Sequence, residues 1–280
     1  MNFAPKPDWQ PLTSGTGQSN GGVWLTAEGW VVKRLVPGVP DPRHHAYWER
    51  QALVAESGIV ARTPGLCSPK YQRVMRDADG ITLLSEYVES APIDATNLAL
   101  ALARFAKAPL EEPPWGARDV LRNRLQTVEA RGGWTSLPEL EELEEPLRQA
   151  LGALWVRRSA ALDELDALPR TPAHGDVHPL NLRGRRGHHV IAFDWEQFGF
   201  APAGFDLGYL AIAVALPLDE ELFDDLLLAA DADSAARRGA VLTAALTAAS
   251  RAAWSLDQPS PGDHVDRLVA LTPLITEAVG

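Results

Sequence analysis

The segment His174-Gly175-Asp176-Val177-His178-Pro179-Leu180-Asn181 gathers a carboxylate, two imidazoles and a carboxamide, and the apolar run His188 to Phe193 ends in Asp194-Trp195-Glu196. Transfer of a phosphoryl group needs a carboxylate to orient and deprotonate the attacking hydroxyl, and charge compensation on the phosphates. Asp176 is the candidate for the first role. Asn181, five residues on, and Asp194 carry hard oxygen donors of the kind Mg²⁺ takes. Alone, a His-Gly-Asp is an ordinary surface turn, and an Asp-Trp-Glu at a strand end an ordinary cap. What carries the reading is their coincidence, with Asn181 in register. His174 and His178 flank Asp176 and would also suit a metal-hydrolase cluster. The remaining histidines (His44, His45, His188, His189 and His264) show no ligand spacing to complete one.

Those residues must be held by a scaffold, and the chain changes texture near residue 89. Before it, Gly21–Thr26 and Trp30–Leu35 read as a hairpin turning at Glu28-Gly29. A helix is predicted from Pro42 to Ser57, with Asp41 as N-cap and Gly58 as its stop. A second hairpin, Tyr71–Met75 and Ile81–Val88, turns at Asp77-Ala78-Asp79-Gly80. After it, helical periodicity runs through 95–108, 117–130, 139–168, 204–216, 219–230 and 234–257, broken only by the strand at 188–194. The expectation is an α+β chain with a small β-rich lobe over residues 1–89, a connector near 85–92 and a larger, mainly helical lobe over 90–280. A cleft between two such lobes is a natural small-molecule site.

Within the small lobe, Lys33 lies in Val31-Val32-Lys33-Arg34-Leu35, where a strand charge is costly unless paired. Glu49 and, two turns on, Glu56 are candidate partners on the helix that follows. The stretch Ser14-Gly15-Thr16-Gly17-Gln18-Ser19-Asn20-Gly21-Gly22 suits close approach of backbone to phosphate, though its spacing is not that of a Walker loop. Ser19 and Asn20 are the expected phosphate contacts. In the connector, either Ser85 with Tyr87 or Glu86 with Val88 can present backbone groups to a nucleobase; Glu86 and Val88 are taken here.

Asp176 and Asn181 are spaced as in the protein-kinase loop HRDxxxxN, and Asp-Trp-Glu stands where kinases carry DFG. The combination resembles the aminoglycoside phosphotransferase and choline kinase-like family, relatives of the protein kinases, over residues 13–216. Gly199–Gly208 is similar to that family's GdPaaDLa segment. The resemblance implies a two-lobe protein-kinase-like fold, with ATP and Mg²⁺ as cofactors. It implies Asp176 as catalytic base, Asn181 and Asp194 as metal ligands, Lys33 on the phosphates fixed by Glu49, and Asp206 as a brace for the catalytic loop. A protein kinase is disfavoured, because His-Gly-Asp replaces His-Arg-Asp and no Ala-Pro-Glu segment follows. A silent nucleotide-binding scaffold fits poorly with every ionic part present. The chain departs from many relatives at Arg104-Phe105-Ala106-Lys107, where they carry a Leu-His pair.

The acceptor is less legible. The chain has 37 acids against 26 Lys and Arg, a net charge of −11, which speaks against a nucleic-acid partner. Twelve acids and four bases fall between Asp206 and Gly280. That excess predicts an acidic acceptor wall suited to an aminoglycoside-like polycation. A choline or ethanolamine acceptor would want an aromatic cage, for which Trp195, Tyr209 and Trp254 are candidates; homoserine or a sugar are further alternatives. The lone Cys67 excludes an intramolecular disulfide. The apolar run Leu207–Leu218 is too short to span a membrane, and the N-terminus does not read as a secretory signal, so a cytoplasmic location is expected. Oligomeric state is not readable.

Overall fold

A computed structural model describes residues 3–12, 20–216, 220–259 and 262–280. Ser19 and most of the predicted glycine-rich loop lie outside the described residues.

Strands β1 (Gln10–Pro11), β2 (Asn20–Leu25) and β3 (Trp30–Leu35) precede helix α1 (Arg50–Ser57); β4 (Leu66–Cys67), β5 (Tyr71–Asp77) and β6 (Gly80–Glu86) follow. They form an antiparallel sheet in the order β1-β2-β3-β6-β5, with β4 left out to pair elsewhere. Both predicted hairpins are present, the first turning at Gly29, whose φ of 80° suits glycine. Strand β3 sits in the middle of the sheet. Because side chains alternate along a strand, Val31, Lys33 and Leu35 share one face. Leu35 packs with Ala52 of α1, Ile81 and Leu83, while Val31 and Lys33 face the cleft. On the opposite face the buried Arg34 is neutralised by Asp77 at 2.5 Å.

The helix predicted over 42–57 begins only at Arg50. The reason is Arg50 itself. Its guanidinium is fully buried and takes the carbonyl oxygens of Pro42, His44 and His45 at 2.7–3.0 Å, which a helix would have committed to amides further along. The same group donates to Trp115 O at 2.9 Å and to the carbonyl of Glu196. One side chain therefore ties α1 and its entry loop to the Asp-Trp-Glu segment.

The rest of the chain supplies α2 (Ala95–Ala106), α3 (Val120–Ala130), α4 (Glu145–Val156) and α5 (Arg158–Asp166), then β7 (Arg170–Ala173), β8 (Leu182–Arg186), β9 (His189–Ala192) and β10 (Gly199–Pro202). Helices α6 (Phe205–Ala213), α7 (Glu220–Ala229), α8 (Ser234–Leu256), α9 (His264–Ala270) and α10 (Thr272–Val279) complete it. β10 pairs with β7, and β9 lies between β4 and β8, so the site segments hang from two small sheets. The single helix expected over 139–168 is two, parted at Arg157. Small residues let α6 lie unusually close to α8. A Cβ on Gly208 would sit 2.6 Å from Ala240 O, and one on Gly204 (φ 85°) 1.9 Å from Ala236 O. The architecture is α+β, β-rich at the N-terminal end and helical beyond. Among the described residues no helix is long and apolar enough to cross a membrane.

Replacing Arg50 by Met keeps bulk but strands several buried carbonyls without donors, at about 1–3 kcal/mol each. Urea denaturation of Arg50→Met is expected to show a loss of about 3 kcal/mol or more; a loss under about 1 kcal/mol contradicts this role.

Candidate active site

The loop after β7 owes its shape to buried hydrogen bonds. The amides of His174 and Gly175 donate to the two carboxylate oxygens of Asp206 at 2.7 and 3.0 Å. Asp206 is thus a brace on the first turn of α6, not an N-cap, which is Gly204. Burial pushes the Asp206 carboxyl up, while the two amides favour its charged form. Gly175 has φ 85°, and a Cβ there would meet Gln197 O at 2.4 Å, so the residue beside Asp176 must be glycine. His174 is fully buried. Its Nδ1 accepts from the Asp176 amide at 3.3 Å, which leaves Nε2 to donate to Phe193 O at 2.7 Å. This histidine is a structural strut and not a metal ligand.

Asn181 closes the loop. Its Nδ2 donates to Asp176 O at 3.0 Å, so its amide oxygen takes no part in that bond, and its own backbone carbonyl accepts from Phe193 N at 2.7 Å. The Asp-to-Asn spacing is the length of that turn. After β9 the chain passes through Asp194 in the left-handed region, φ 58°. This turn aims the carboxylate across the cleft at Lys33 Nζ, 2.8 Å away. Trp195 goes the other way: it is fully buried against Phe105, Phe198 and His174, with Nε1 on Ala192 O at 2.7 Å.

Two sequence expectations fail locally. Lys33 does not pair with Glu49, because Arg76 of β5 takes Glu49 and also Glu56, the latter at 3.1 Å. Glu86 does not line the cleft. Its amide goes to Lys70 O at 3.0 Å, and its carboxylate to the Lys70 amide and to Arg186. Ser85, Tyr87 and Val88 do line it, as does Asn20, whose side chain also accepts from Gly22 N at 2.9 Å.

Two cavities meet at Asp176. One, of about 900 Å³, is the cleft bounded by Asn20, Val31, Lys33, Val88, Asn181 and Asp194. The other, of about 740 Å³, lies between α3 and α8. Asp176, Glu196, Arg251 and His264 border both. Glu196 is pushed up to about 7 by burial and by the neighbouring Asp194 charge.

The second cavity is not an acidic wall. Among the described residues, Asp257 is the one C-terminal acid of those counted that lines it. Asp224 and Glu277 are held by Arg237, Asp263 by Arg267 and Asp231 by Lys107; Asp206 is spent on the loop and Asp233 caps α8. Asp219 lies outside the described residues. Beside Asp176 stand instead Arg124 and Arg251, 3.9 and 3.6 Å from Oδ1. Nor do the aromatic candidates form a cage. Trp195 is core, and the Tyr209 ring is already covered by the guanidinium groups of Arg124 and Arg251, 5.4 and 5.1 Å from its centroid. Trp254 alone reaches the cavity. Sequence reasoning missed both arginines. Arg251 had a signal: a single cation in the Ala-rich run of α8 must find a partner. Arg124 had none.

The sequence matches the model of the phosphotransferase enzyme family over residues 8–240. No curated protein matches it. Among solved structures, a choline/ethanolamine kinase family protein from Mesorhizobium loti is similar in fold, with a TM-score of 0.62 at 18% identity, over 97% of this chain and 92% of that one. The GDP complex of aminoglycoside 2'-phosphotransferase-IIIa gives 0.59 at 16% identity over 95% and 92%. A choline kinase from Streptococcus pneumoniae gives 0.58 at 16% over 96% and 94%. With most of its length matched and the site motifs in place, the chain belongs to the phosphotransferase enzyme family.

Proposed function

We propose that this small-molecule kinase transfers the γ-phosphate of ATP, with Mg²⁺, to a hydroxyl of a small acceptor. The observation that carries the reading is the meeting of two cavities at Asp176: a nucleotide in the cleft and an acceptor between α3 and α8 would present their reacting atoms to it from opposite sides. The similar fold solved with GDP supports a nucleotide in the cleft.

Residues 1–89 then hold the nucleotide and 90–280 the catalytic groups and acceptor. Lys33 faces the phosphates, and Asn20, at the start of β2, lies where it can reach them. The backbone of Ser85, Tyr87 and Val88 borders the place for the base. The hard oxygens of Asn181 and Asp194, on one wall of the cleft, fit Mg²⁺, which takes one or two protein oxygens and completes its shell with phosphates and water; bound there it would neutralise phosphate charge. Asp176 accepts the proton of the acceptor hydroxyl as that oxygen bonds to the γ-phosphorus, and the bond to the β-phosphate oxygen breaks to release ADP. Asp206 and His174 hold Asp176 in place. A cytoplasmic location, with ATP at hand, belongs to this reading. The polycation acceptor loses much of its sequence support, since of the counted C-terminal acids Asp257 is the one that lines the second cavity among the described residues.

Asp176→Asn removes the proton acceptor and is expected to lower turnover by about 10²–10⁴ while Mg-ATP affinity changes little. Unchanged turnover in a coupled assay overturns the base assignment. Asp194→Ala is expected to abolish the Mg²⁺-dependent part of ATP binding by calorimetry; equal metal dependence in both proteins removes the ligand assignment. A parent protein that binds Mg-ATP yet phosphorylates no hydroxyl compound would favour the silent scaffold.

A further inference from the structure

We infer that the acceptor carries its own anionic group, a carboxylate or a phosphate, close to the hydroxyl that is phosphorylated, and that Arg251 and Arg124 bind it. The inference rests on the phosphotransferase reading above and names the substrate class for that site.

The two arginines differ in a telling way. Arg124 is fixed: it donates to Gln197 Oε1 at 2.8 Å and to the Tyr209 hydroxyl. Arg251 lies over the same ring and its side chain has, among the described residues, no hydrogen bond, only the 3.6 Å approach to Asp176. That distance is too long for a good charged hydrogen bond, so its N–H donors are unspent at the junction of the two cavities. One turn earlier on α8, the hydroxyl of Thr247 is buried at the acceptor cavity without a partner among the described residues. A guanidinium fork with free donors, a second fixed guanidinium behind it and an orphan hydroxyl beside it match a planar or tetrahedral oxyanion. Neutralising Asp176 alone does not call for two arginines held short of hydrogen-bond contact. After burial, Arg124 is the next cause holding His45 down at about 3, and Arg251 is the next cause lowering His264.

Geometry also limits where the anion sits on the acceptor. The reacting hydroxyl must come within about 3 Å of Asp176, and Arg251 is 3.6 Å from that same carboxylate. The anionic group is therefore a few bonds from the hydroxyl, as in a small hydroxy acid or a polyol phosphate. Carboxylate and phosphate share this chemistry, and the two arms of the test separate them.

The test measures kcat/KM for matched acceptors with Mg-ATP. One arm sets a short hydroxy acid against its amide, a second sets glycerol phosphate against glycerol, and an aminoglycoside and an amino alcohol serve as cations. In at least one of the first two arms the anion is expected to be preferred by about tenfold or more, mainly through KM. Arg251→Gln is expected to shrink that preference about 10- to 100-fold, in keeping with a lost charged hydrogen bond, with Arg251→Lys recovering part of it. Because the preference is a ratio within each protein, partial unfolding of a variant cancels. Thr247→Val is expected to lower the same ratio by a few-fold. Neutral or cationic acceptors used as well as or better than anions, no preference anywhere in the panel, or a ratio untouched by Arg251→Gln overturns the inference while leaving a phosphotransferase. Failure to bind Mg-ATP at all overturns the reading beneath it, and the inference falls with it.

Discussion

The 2.8 Å ion pair between Lys33, on the middle strand of the five-stranded sheet, and Asp194, at the turn after β9, joins the two ends of the architecture. Both side chains are largely withdrawn from water, 17% and 29% exposed, and a charge in that position is costly if left alone. Each therefore needs the other. On the proposed function the pair is also what substrate binding undoes. Phosphates would take over the ammonium and Mg²⁺ the carboxylate, so opposite charges are exchanged for opposite charges and neither group is stranded. The same pressure explains the left-handed φ of Asp194, which a non-glycine residue adopts at a cost.

The supports of this pair are local and traceable. Glycines at 204 and 208 let α6 settle onto α8, which brings Asp206 under the amides of His174 and Gly175 and so fixes Asp176. Arg50 draws the carbonyls of its entry loop and of Glu196 onto one guanidinium, binding the small sheet's helix to the segment that carries Asp194. Burial lowers the Arg50 pKa to about 10, which still leaves it charged at neutral pH, as a group shared among so many carbonyls must be. Helix α8 then contributes twice: its small residues form the seat for α6, and Arg251 on the same helix faces the junction beside Asp176.

Much of this was legible. The hairpins, the loop that carries Asp176 and the acid after β9 announce themselves through alternation, turn residues and spacing, all of which are local. Lys33 was legible because a lysine following two valines on a strand demands a counter-charge, although the partner turned out to be Asp194. What was not legible depended on long-range competition. Glu49 has the right spacing to meet Lys33, but Arg76, 27 residues away, outbids the lysine for it. The early helix start failed because Arg50 claims carbonyls that local rules assign to the helix. The acidic C-terminal count was real as composition and misleading as location, since Arg237, Arg267 and Lys107 disperse those charges around the outside. Strands β4, β7 and β10, each of two to four residues, are too short to show a period.

The most direct test of the account is a crystal structure of the chain with Mg²⁺ and a non-hydrolysable ATP analogue. The account predicts the triphosphate between Lys33 and Asp194 with their direct contact broken, the metal on Asn181 and Asp194, and the γ-phosphate facing Asp176. An analogue bound elsewhere, with the Lys33–Asp194 pair intact, would contradict it.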